Sequence, residues 1–423
     1  MIATLVMLPV VLFLLGVPVF AVLMASGIAT LLLHMSVPIA AAHQVMFGGV
    51  DKFALLAVPY FILAGELMAR SGMSDRLIGS IAVMTHRIRA AIPLTTIASS
   101  TILGAISGSS PATVAATARV LYPALIQSGA ERRFSLGLIT SSGAISIVIP
   151  PSIAMILYGA SAEQSIPKLF TAGLVPGVFI AMAMALYVVW RCRNNRAVKS
   201  ENVSITEQAG LIGFLTALGL PVLVLSGIYS GLFSPTEAGG VACVYTLFLA
   251  RYVYRSMSWK DVIDCAGDAA LLSAQVMIVV AAAALFSWVL TVQQIPQGIL
   301  GYIDSIALSP LAFLFVVNVL LLILGCFIDP TSAILVLTPI LLPIVVSLGI
   351  DPIHFGIVMT VNLSIGMFTP PFGLNIFVTQ SVLNAKVSDI YRGLGGFFCV
   401  QTIALLCITY VPELSLTLTK FMN

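Results

Sequence analysis

Two apolar stretches, each interrupted by a pair of prolines, decide the fold of this chain. Residues 139–159 read ITSSGAISIVIPPSIAMILYG, and residues 359–379 read MTVNLSIGMFTPPFGLNIFVT. Proline lacks a backbone N–H and pushes the preceding residue out of the α region, so two adjacent prolines interrupt a helix and free backbone carbonyls. We therefore predict one discontinuous helix over 134–160 and another over 353–380. Freed carbonyls with nearby hydroxyls suit a hard monovalent cation such as Na⁺.

A second type of broken segment precedes each proline pair. Residues 102–118 (ILGAISGSSPATVAATA) and 323–339 (ILGCFIDPTSAILVLTP) are apolar runs interrupted by Gly, Ser or Asp and then by Pro. That proline precedes the proline pair by 39 residues in the first copy and by 40 in the second. A break at membrane depth is tolerated only where the backbone is buried in protein or lines a wet cavity. We predict two re-entrant hairpins, near 94–128 and near 310–348; a kinked spanning helix or a short periplasmic turn is the alternative.

The recurrence of this order indicates an internal structural repeat. The first repeat is predicted over 1–190 and the second over 208–423. Residues 191–207 separate them and carry four basic residues. Because cytoplasmic loops of membrane proteins are enriched in Lys and Arg, we expect this linker to be cytoplasmic.

The composition requires a membrane protein. Of the 423 residues, 19 are Lys or Arg, 16 are Asp or Glu, and 60% are hydrophobic. So few charges cannot cover a soluble protein of this size, which excludes a soluble enzyme, a nucleic-acid-binding protein and a disordered chain. The long uncharged runs are continuous rather than alternating, so we predict an all-α polytopic bundle of roughly ten or more membrane segments and not a β-barrel.

Three further segments bear on the topology. The N-terminal run, residues 1–50, lacks the basic region and the clear cleavage site of a signal peptide, and we expect it to be retained as a first helix. Segments 71–92 and 255–268 look amphipathic. Each is either a helix lying at the membrane interface or a loop whose charges set the topology. The six cysteines contain no CxxC pair, and we expect no transition-metal site.

Four motifs make the chain resemble a known family. They are GAISGSSPATVAA (104–116), GAISIVIPPSI (143–153), GLFSPTEAG (231–239) and SIGMFTPPFGLN (364–375). With them the chain is similar, over essentially its whole length, to the large membrane subunit of the tripartite ATP-independent periplasmic (TRAP) transporters, within the wider ion-transporter superfamily. The resemblance implies an inverted-repeat fold with a scaffold and a mobile transport domain, which together work as an elevator driven by a Na⁺ gradient.

The resemblance also implies partners and a location. We expect a small four-helix membrane subunit, a soluble periplasmic protein that delivers an organic acid (a carboxylate such as a sugar acid or dicarboxylate), and surrounding lipid of the bacterial inner membrane. We expect no nucleic acid and no cofactor, with Na⁺ as the coupling ion. A stand-alone Na⁺- or H⁺-coupled dicarboxylate or anion symporter of the same superfamily is the alternative; the motif GLFSPTEAG favours the tripartite type.

The resemblance further implies two pseudo-symmetric Na⁺ sites, each between a hairpin tip and a broken helix. The residues matched to the first site are Ser107, Ser109, Ser110, Ser146, Ile149 and Pro151. The residues matched to the second are Asp329, Thr331, Ser332, Gly366, Thr369 and Pro371. Substrate contacts are expected beside the tips, at Ser109, Ser152 and Asp329.

Individual acidic residues allow two interpretations each. Asp329 stands between uncharged runs, where a carboxylate by default marks an ion or substrate pathway, but Asp before Pro-Thr is also a good helix N-cap. Glu66 is either functional or paired with Arg70 at a helix end. Glu237 follows Ser234 by three residues, the spacing of a capping box, and we interpret it as structural.

Other functional classes find little support in the sequence. A membrane-embedded enzyme would need clustered catalytic groups such as HExxH or paired aspartates, whereas Asp329 stands alone, so we do not expect an enzyme. A channel is a weak alternative, since broken helices also build filters. No GxxxxGK[ST] motif is present, so we expect no ATP hydrolysis by this chain. The broken segments contain no Arg to clamp a carboxylate, and selectivity is therefore expected to lie mainly in the binding protein.

Overall fold

The structure is a computed structural model. It describes residues 3–85, 88, 90–193, 211–305 and 308–422. Within these residues the regular structure is entirely helical, which confirms the predicted all-α class. Of the predicted linker, 191–207, only the first three residues fall inside the described part of the chain.

The first half of the chain contains helices α1 to α11. The bounds are α1 Leu8–Leu14, α2 Val19–His34, α3 Ala40–Val50, α4 Ala57–Arg70, α5 Met73–Thr85, α6 Ala91–Ser107, α7 Ser110–Gln127, α8 Arg132–Ser142, α9 Ile145–Val148, α10 Ile153–Ala162 and α11 Ile166–Cys192. Short π or 3₁₀ turns precede α1 and α4, at Ala3–Met7 and Phe53–Leu56.

The second half contains helices α12 to α21. The bounds are α12 Leu211–Tyr229, α13 Pro235–Phe248, α14 Trp259–Val292, α15 Ile295–Ser305, α16 Pro310–Gly325, α17 Pro330–Ser347, α18 Pro352–Gly366, α19 Leu374–Leu383, α20 Val387–Tyr410 and α21 Glu413–Leu416. A π turn follows α13 at Leu249–Val253, and a 3₁₀ turn ends the described chain at Leu418–Met422.

Six helical segments of the described chain are long and apolar enough to cross a membrane, and seven shorter apolar helices accompany them. The six are Phe53–Arg70, Arg132–Ala162, Ile166–Cys192, Trp259–Val292, Pro330–Ser347 and Val387–Tyr410. The chain is therefore a multi-pass membrane protein, since each such segment reaches the roughly 20 residues that a bilayer crossing needs.

The two segments that look amphipathic, 71–92 and 255–268, form different structures. Within 71–92, Met73–Thr85 forms α5, which packs against α6 and α12 and buries Leu77 and Ile78 completely. Within 255–268, by contrast, the chain from Trp259 onward is the start of the 34-residue α14. The interpretation of 255–268 as a separate interfacial helix is therefore wrong, because its charges belong to the first turns of a long helix whose remainder is apolar.

Both predicted discontinuous helices are present. The first consists of α8, the single turn α9 and α10, and the second of α18 and α19. Each is interrupted at its proline pair, and the Pro150–Pro151 and Pro370–Pro371 peptide bonds are cis. After each interruption the chain re-enters a helix within three residues of the second proline.

The predicted hairpins correspond to α6–α7 and α16–α17. Gly108 and Ser109 form the first turn, and residues 326–329 form the second. The arms of the first hairpin pack along each other, whereas α16 packs chiefly against α18, and α17 packs against α10 and α14. The division of the chain into two repeats stays a prediction.

The same close contact recurs in each half, between the first hairpin arm and the broken helix. A Cβ added to Gly104 in α6 would overlap the Cα of Ser146 in α9. A Cβ added to Gly366 in α18 would overlap the backbone of Gly325 in α16. Ser146 and Gly366 each stand four residues before the proline pair. Small residues at these positions bring the hairpin backbone directly onto the broken helix.

Candidate functional site

A cavity of about 420 Å³ lies where the two hairpin turns meet. The first hairpin contributes residues 107–112 and the second contributes residues 329–332. The opposite wall comes from α4 and α14, through Glu66 and Gln275 among others. The cavity thus brings together two chain segments that lie more than 200 residues apart in the sequence.

The predicted site residues divide into two groups. Those in the hairpin turns line the cavity: Ser107, Ser109, Ser110, Asp329, Thr331 and Ser332. Those in the broken helices do not line it: Ser146, Ile149, Pro151, Ser152, Gly366, Thr369 and Pro371. The broken helices reach the cavity instead through apolar neighbours, namely Ile147, Ile153, Ala154, Met367 and Leu374.

Four helices begin at the cavity wall. The first residue of each helix lines the cavity: Ser110 of α7, Ile153 of α10, Pro330 of α17 and Leu374 of α19. The first N–H groups of a helix have no partner inside the helix, and the helix dipole places partial positive charge there. No Lys or Arg is among the described residues that line the cavity. Among the described lining residues, partial positive charge therefore comes only from the peptide groups at the helix N-termini.

The first hairpin turn is held by its own hydroxyls and by a glycine. The Ser107 hydroxyl lies 3.2 Å from that of Thr113, and the Ser109 backbone N–H donates to Ser107 Oγ at 3.3 Å. Gly108 has φ +57°, and a Cβ there would lie 3.1 Å from the carbonyl oxygen of Pro151. The first proline pair thus presents a carbonyl directly to the hairpin turn, and glycine is what permits the approach.

Asp329 is both a helix cap and a wall residue of the cavity. Its carboxylate accepts hydrogen bonds from the backbone N–H of Ser332, at 3.0 Å, and from the Thr331 hydroxyl. Among the described residues Asp329 has no basic partner in an ion pair. The capping interpretation is therefore confirmed, and Asp329 also lines the cavity.

Several predicted ligands in the broken helices already form hydrogen bonds with other groups of the protein. The Pro371 carbonyl accepts a hydrogen bond from the Tyr391 hydroxyl at 2.6 Å, and the Thr369 hydroxyl donates to Ile365 O at 2.7 Å. The Ser146 hydroxyl donates to a carbonyl one turn back, and Ser152 caps α10. The two proline pairs therefore differ: the carbonyl of the first pair faces Gly108, whereas that of the second faces Tyr391.

Asn375 connects the two halves of the site and was missed in the sequence. It exchanges hydrogen bonds of 2.7 and 3.0 Å with the Ser110 hydroxyl and donates to the Thr140 carbonyl at 3.1 Å. Asn375 and Ser110 are completely buried. The only available signal was its place four residues after the second proline pair, inside the motif SIGMFTPPFGLN.

The other two acidic residues considered in the sequence, Glu66 and Glu237, form an ion pair and a helix cap. Glu66 lines the cavity and lies 3.7 Å from Arg70, which also pairs with Asp268 at the start of α14. Glu237 forms the predicted capping box with Ser234, its carboxylate accepting the Ser234 N–H at 2.7 Å. Gln275, on the same wall as Glu66, is a second polar wall residue that the sequence did not single out.

Comparison with known proteins places this chain in a family. Residues 5–414 match the family described as "Tripartite ATP-independent periplasmic transporter, DctM component". The C4-dicarboxylate TRAP transporter large permease protein DctM of Pseudomonas aeruginosa is 38% identical over 399 residues, covering 94% of this chain and 93% of that one. The isethionate TRAP transporter permease protein DctMQ of Oleidesulfovibrio alaskensis is 38% identical over 402 residues; the match covers 94% of this chain but only 63% of that protein.

The fold also resembles a solved transporter. The crystal structure of the YdaH transporter of Alcanivorax borkumensis superposes with a TM-score of 0.66 at 13% sequence identity, covering 95% of this chain and 97% of that one. At this identity the likeness concerns the fold alone. The family match spans nearly the whole length and includes both proline pairs and both hairpins. The chain therefore belongs to the DctM component family of the tripartite ATP-independent periplasmic transporters.

Proposed function

We propose that this chain is the membrane permease of a Na⁺-coupled uptake system for an organic acid, and that the cavity between the hairpin turns holds the acid. The observation that carries the proposal is the convergence of four helix N-termini on one cavity whose described lining has no Lys or Arg. Helix N-termini attract anions, and in a low-dielectric surrounding their fixed dipoles act strongly.

Na⁺ supplies the positive charge that the wall lacks. Asp329 and Glu66 make the wall acidic, and an organic anion would add to that charge. Cations bound at the hairpin turns would offset it, with the hydroxyls of the first turn and the Asp329 carboxylate as oxygen ligands. The Pro151 carbonyl, which faces Gly108, is the best placed of the predicted backbone ligands. Binding of acid and Na⁺ would then be mutually dependent.

The packing supports an elevator type of movement. The hairpins and the broken helices form one side of the cavity, and they contact each other closely where Gly104 meets Ser146 and where Gly366 meets Gly325. The other side is formed by α4 and α14, which pack on each other and on α2, α3 and α13. We infer that the first group moves as one body along the second, which serves as the scaffold.

The substrate is proposed to be a small carboxylate or sulfonate. The relatives named above are a C4-dicarboxylate permease and an isethionate permease, both of which act on anions. The family is described as tripartite and periplasmic, so we propose a small membrane subunit and a periplasmic binding protein as partners, in the bacterial inner membrane. Thermal stabilisation of that binding protein by a panel of organic acids would identify the acid.

The deciding experiment is uptake by proteoliposomes. With the small subunit and the loaded binding protein present, an inward Na⁺ gradient should drive accumulation of the acid, and replacing all Na⁺ by K⁺ should abolish it. Strong uptake by this chain alone would favour the stand-alone symporter instead. Uptake that is unchanged in K⁺ would overturn the Na⁺ coupling while leaving the anion site in place.

A further inference from the structure

A second cavity follows the first along one face of α14. It also measures about 420 Å³. On α14 the first cavity is lined by Leu272, Gln275, Val276 and Val279. The second is lined by Val280, Ala283, Ala284, Ser287 and Trp288. These residues recur every three to four positions, the spacing of a single helix face. The 12 residues from Gln275 to Ser287 correspond to about 18 Å along the axis, at ~1.5 Å per residue.

The opposite wall also passes from one cavity to the next. Ile153 at the start of α10 lines the first cavity, and Ala160 near its end lines the second. On α17, Ser332 lines the first and Leu335 the second. The two cavities are therefore successive positions between the same three helices, and any group displaced along α14 by a few turns would pass from one to the other.

Lys52 gives the second cavity a charge that the first one lacks. Its Nζ donates to the carbonyl oxygen of Ala160 at 2.8 Å, and the side chain is half-buried. It forms no ion pair with any residue that the structure describes. An ammonium group has three donors, so two remain beyond the bond to Ala160. The hydroxyls of Ser161 and Ser287 line the same cavity, and the acidic Glu163 in its lining is exposed.

The arrangement of basic residues assigns this cavity to one side of the membrane. Arg70 at the end of α4 pairs with Asp268 near the start of α14, and Arg76 stacks on the ring of Tyr254 at 4.1 Å. Basic residues thus gather at that end of the molecule, which the positive-inside rule makes cytoplasmic. Lys52 lies at the opposite end, where α4 begins and α10 finishes. The second cavity is therefore on the periplasmic half.

We propose that the second cavity is a periplasmic anion subsite in which Lys52 binds the carboxylate or sulfonate of the transported acid before the acid reaches the hairpin turns. The proposal rests on the proposed function and adds a site to it. The free ammonium donors form a charge-assisted hydrogen bond with the anion, and the bond to Ala160 holds the side chain in place. In the first cavity peptide dipoles and Na⁺ then replace Lys52 as partners.

Trp288 offers a local probe of this site. The chain contains three tryptophans, so the variant carrying W190F and W259F reports from the second cavity alone. In nanodiscs, two quenchers are compared on Trp288: the anion iodide and the neutral molecule acrylamide. If Lys52 attracts anions, the ratio of the iodide to the acrylamide quenching constant should be higher for Trp288 than for free tryptophan in solution. K52M should lower the iodide quenching constant at least twofold and leave acrylamide quenching unchanged, whereas K52R should retain the iodide effect. Succinate should protect Trp288 from iodide only when residue 52 is basic.

A control variant and the comparison of the two quenchers separate the subsite from a structural role. K260M removes a lysine at the other, exposed end of α14 and should change neither quenching constant. If K52M changes both quenchers equally, Lys52 only caps α10; if it changes neither, the subsite is absent. Either result overturns the proposal.

Transport gives an independent readout. In the reconstituted tripartite system K52M should raise the KM for the acid roughly tenfold, as expected for loss of one charged hydrogen bond, with K52R close to wild type. An unchanged KM for K52M contradicts the subsite. Failure of the wild-type protein to take up any acid would instead count against the proposed function, and the quenching experiment would still decide on the subsite.

Discussion

At the scale of single residues, Asp329 combines two roles that substitutions can separate. Its carboxylate caps α17 through the Ser332 N–H and lines the cavity. Asn can keep the cap but loses the charge, whereas Ala loses both. Loss of an N-cap typically costs about 1 kcal/mol.

We expect D329A to abolish transport and to lower the melting temperature, and D329N to keep most of the stability but little of the transport. Uptake in proteoliposomes and thermal unfolding of the same preparations measure the two effects. Normal uptake by D329A would reduce Asp329 to a cap and remove it from the proposed second Na⁺ site.

The role of the Pro151 carbonyl in Na⁺ binding can be tested at Gly108, with Gly349 as a matched control. Gly108 and Gly349 both have positive φ, +57° and +69°, but a Cβ at Gly108 would crowd Pro151 O whereas a Cβ at Gly349 meets nothing within 4 Å. Alanine at either position should cost about 1 kcal/mol of backbone strain. Only G108A should also raise the Na⁺ concentration for half-maximal uptake. Equal Na⁺ dependence in both variants would mean that the Pro151 carbonyl does not serve a cation.

At the scale of elements, the Ser110–Asn375 pair joins α7 to α19 across the two halves of the chain. Both side chains are completely buried, so removing one leaves the other without its partner, at a cost of about 1–3 kcal/mol. In a double-mutant cycle, S110A and N375A should each destabilise the protein, and the double variant should be less unstable than the sum of the two. Chemical or thermal unfolding provides the measurement. Strict additivity would show that the pair is not coupled.

The interrupted helices could be predicted from the sequence because the effect of proline is local. Pro150 and Pro370 act on their own backbone and on the preceding turn, and the structure interrupts both helices there. The capping role of Asp329 could also be predicted from the sequence, since its partner Ser332 is only three residues away. The contact of Lys52 could not be predicted, because its partner, Ala160, is 108 residues away and neither local sequence indicates the contact.

Local hydrogen bonds account for two predicted ligands that do not line the cavity. Ser152 and Thr369 stand beside the proline pairs, but their hydroxyl groups are directed to local backbone groups rather than to the cavity. The backbone carbonyl of Pro371, by contrast, accepts its hydrogen bond from Tyr391, on the next long helix.

At the scale of the whole molecule, the predicted division into two structural repeats leads us to expect two Na⁺ ions for each acid. Each positive charge that enters under the membrane potential contributes roughly 2.3 kcal/mol per 100 mV. Uptake of a monoanion with two Na⁺ would therefore carry net positive charge inward and should accelerate under an inside-negative potassium diffusion potential. Uptake of a dianion should not respond unless a further ion moves. Initial rates against Na⁺ concentration should give a Hill slope above one; a slope of one would contradict the two-ion stoichiometry.

The lack of Lys and Arg in the described wall of the first cavity has a consequence for the direction of flow. If the acid is retained there only while Na⁺ accompanies it, the low Na⁺ of the cytoplasm loosens both together. Discharge then needs no separate trigger, and the emptied carrier is not easily refilled from inside. Cytoplasmic sodium becomes in effect a product inhibitor: a cell whose sodium extrusion fails would stall its own import of the acid, however abundant the acid remains outside.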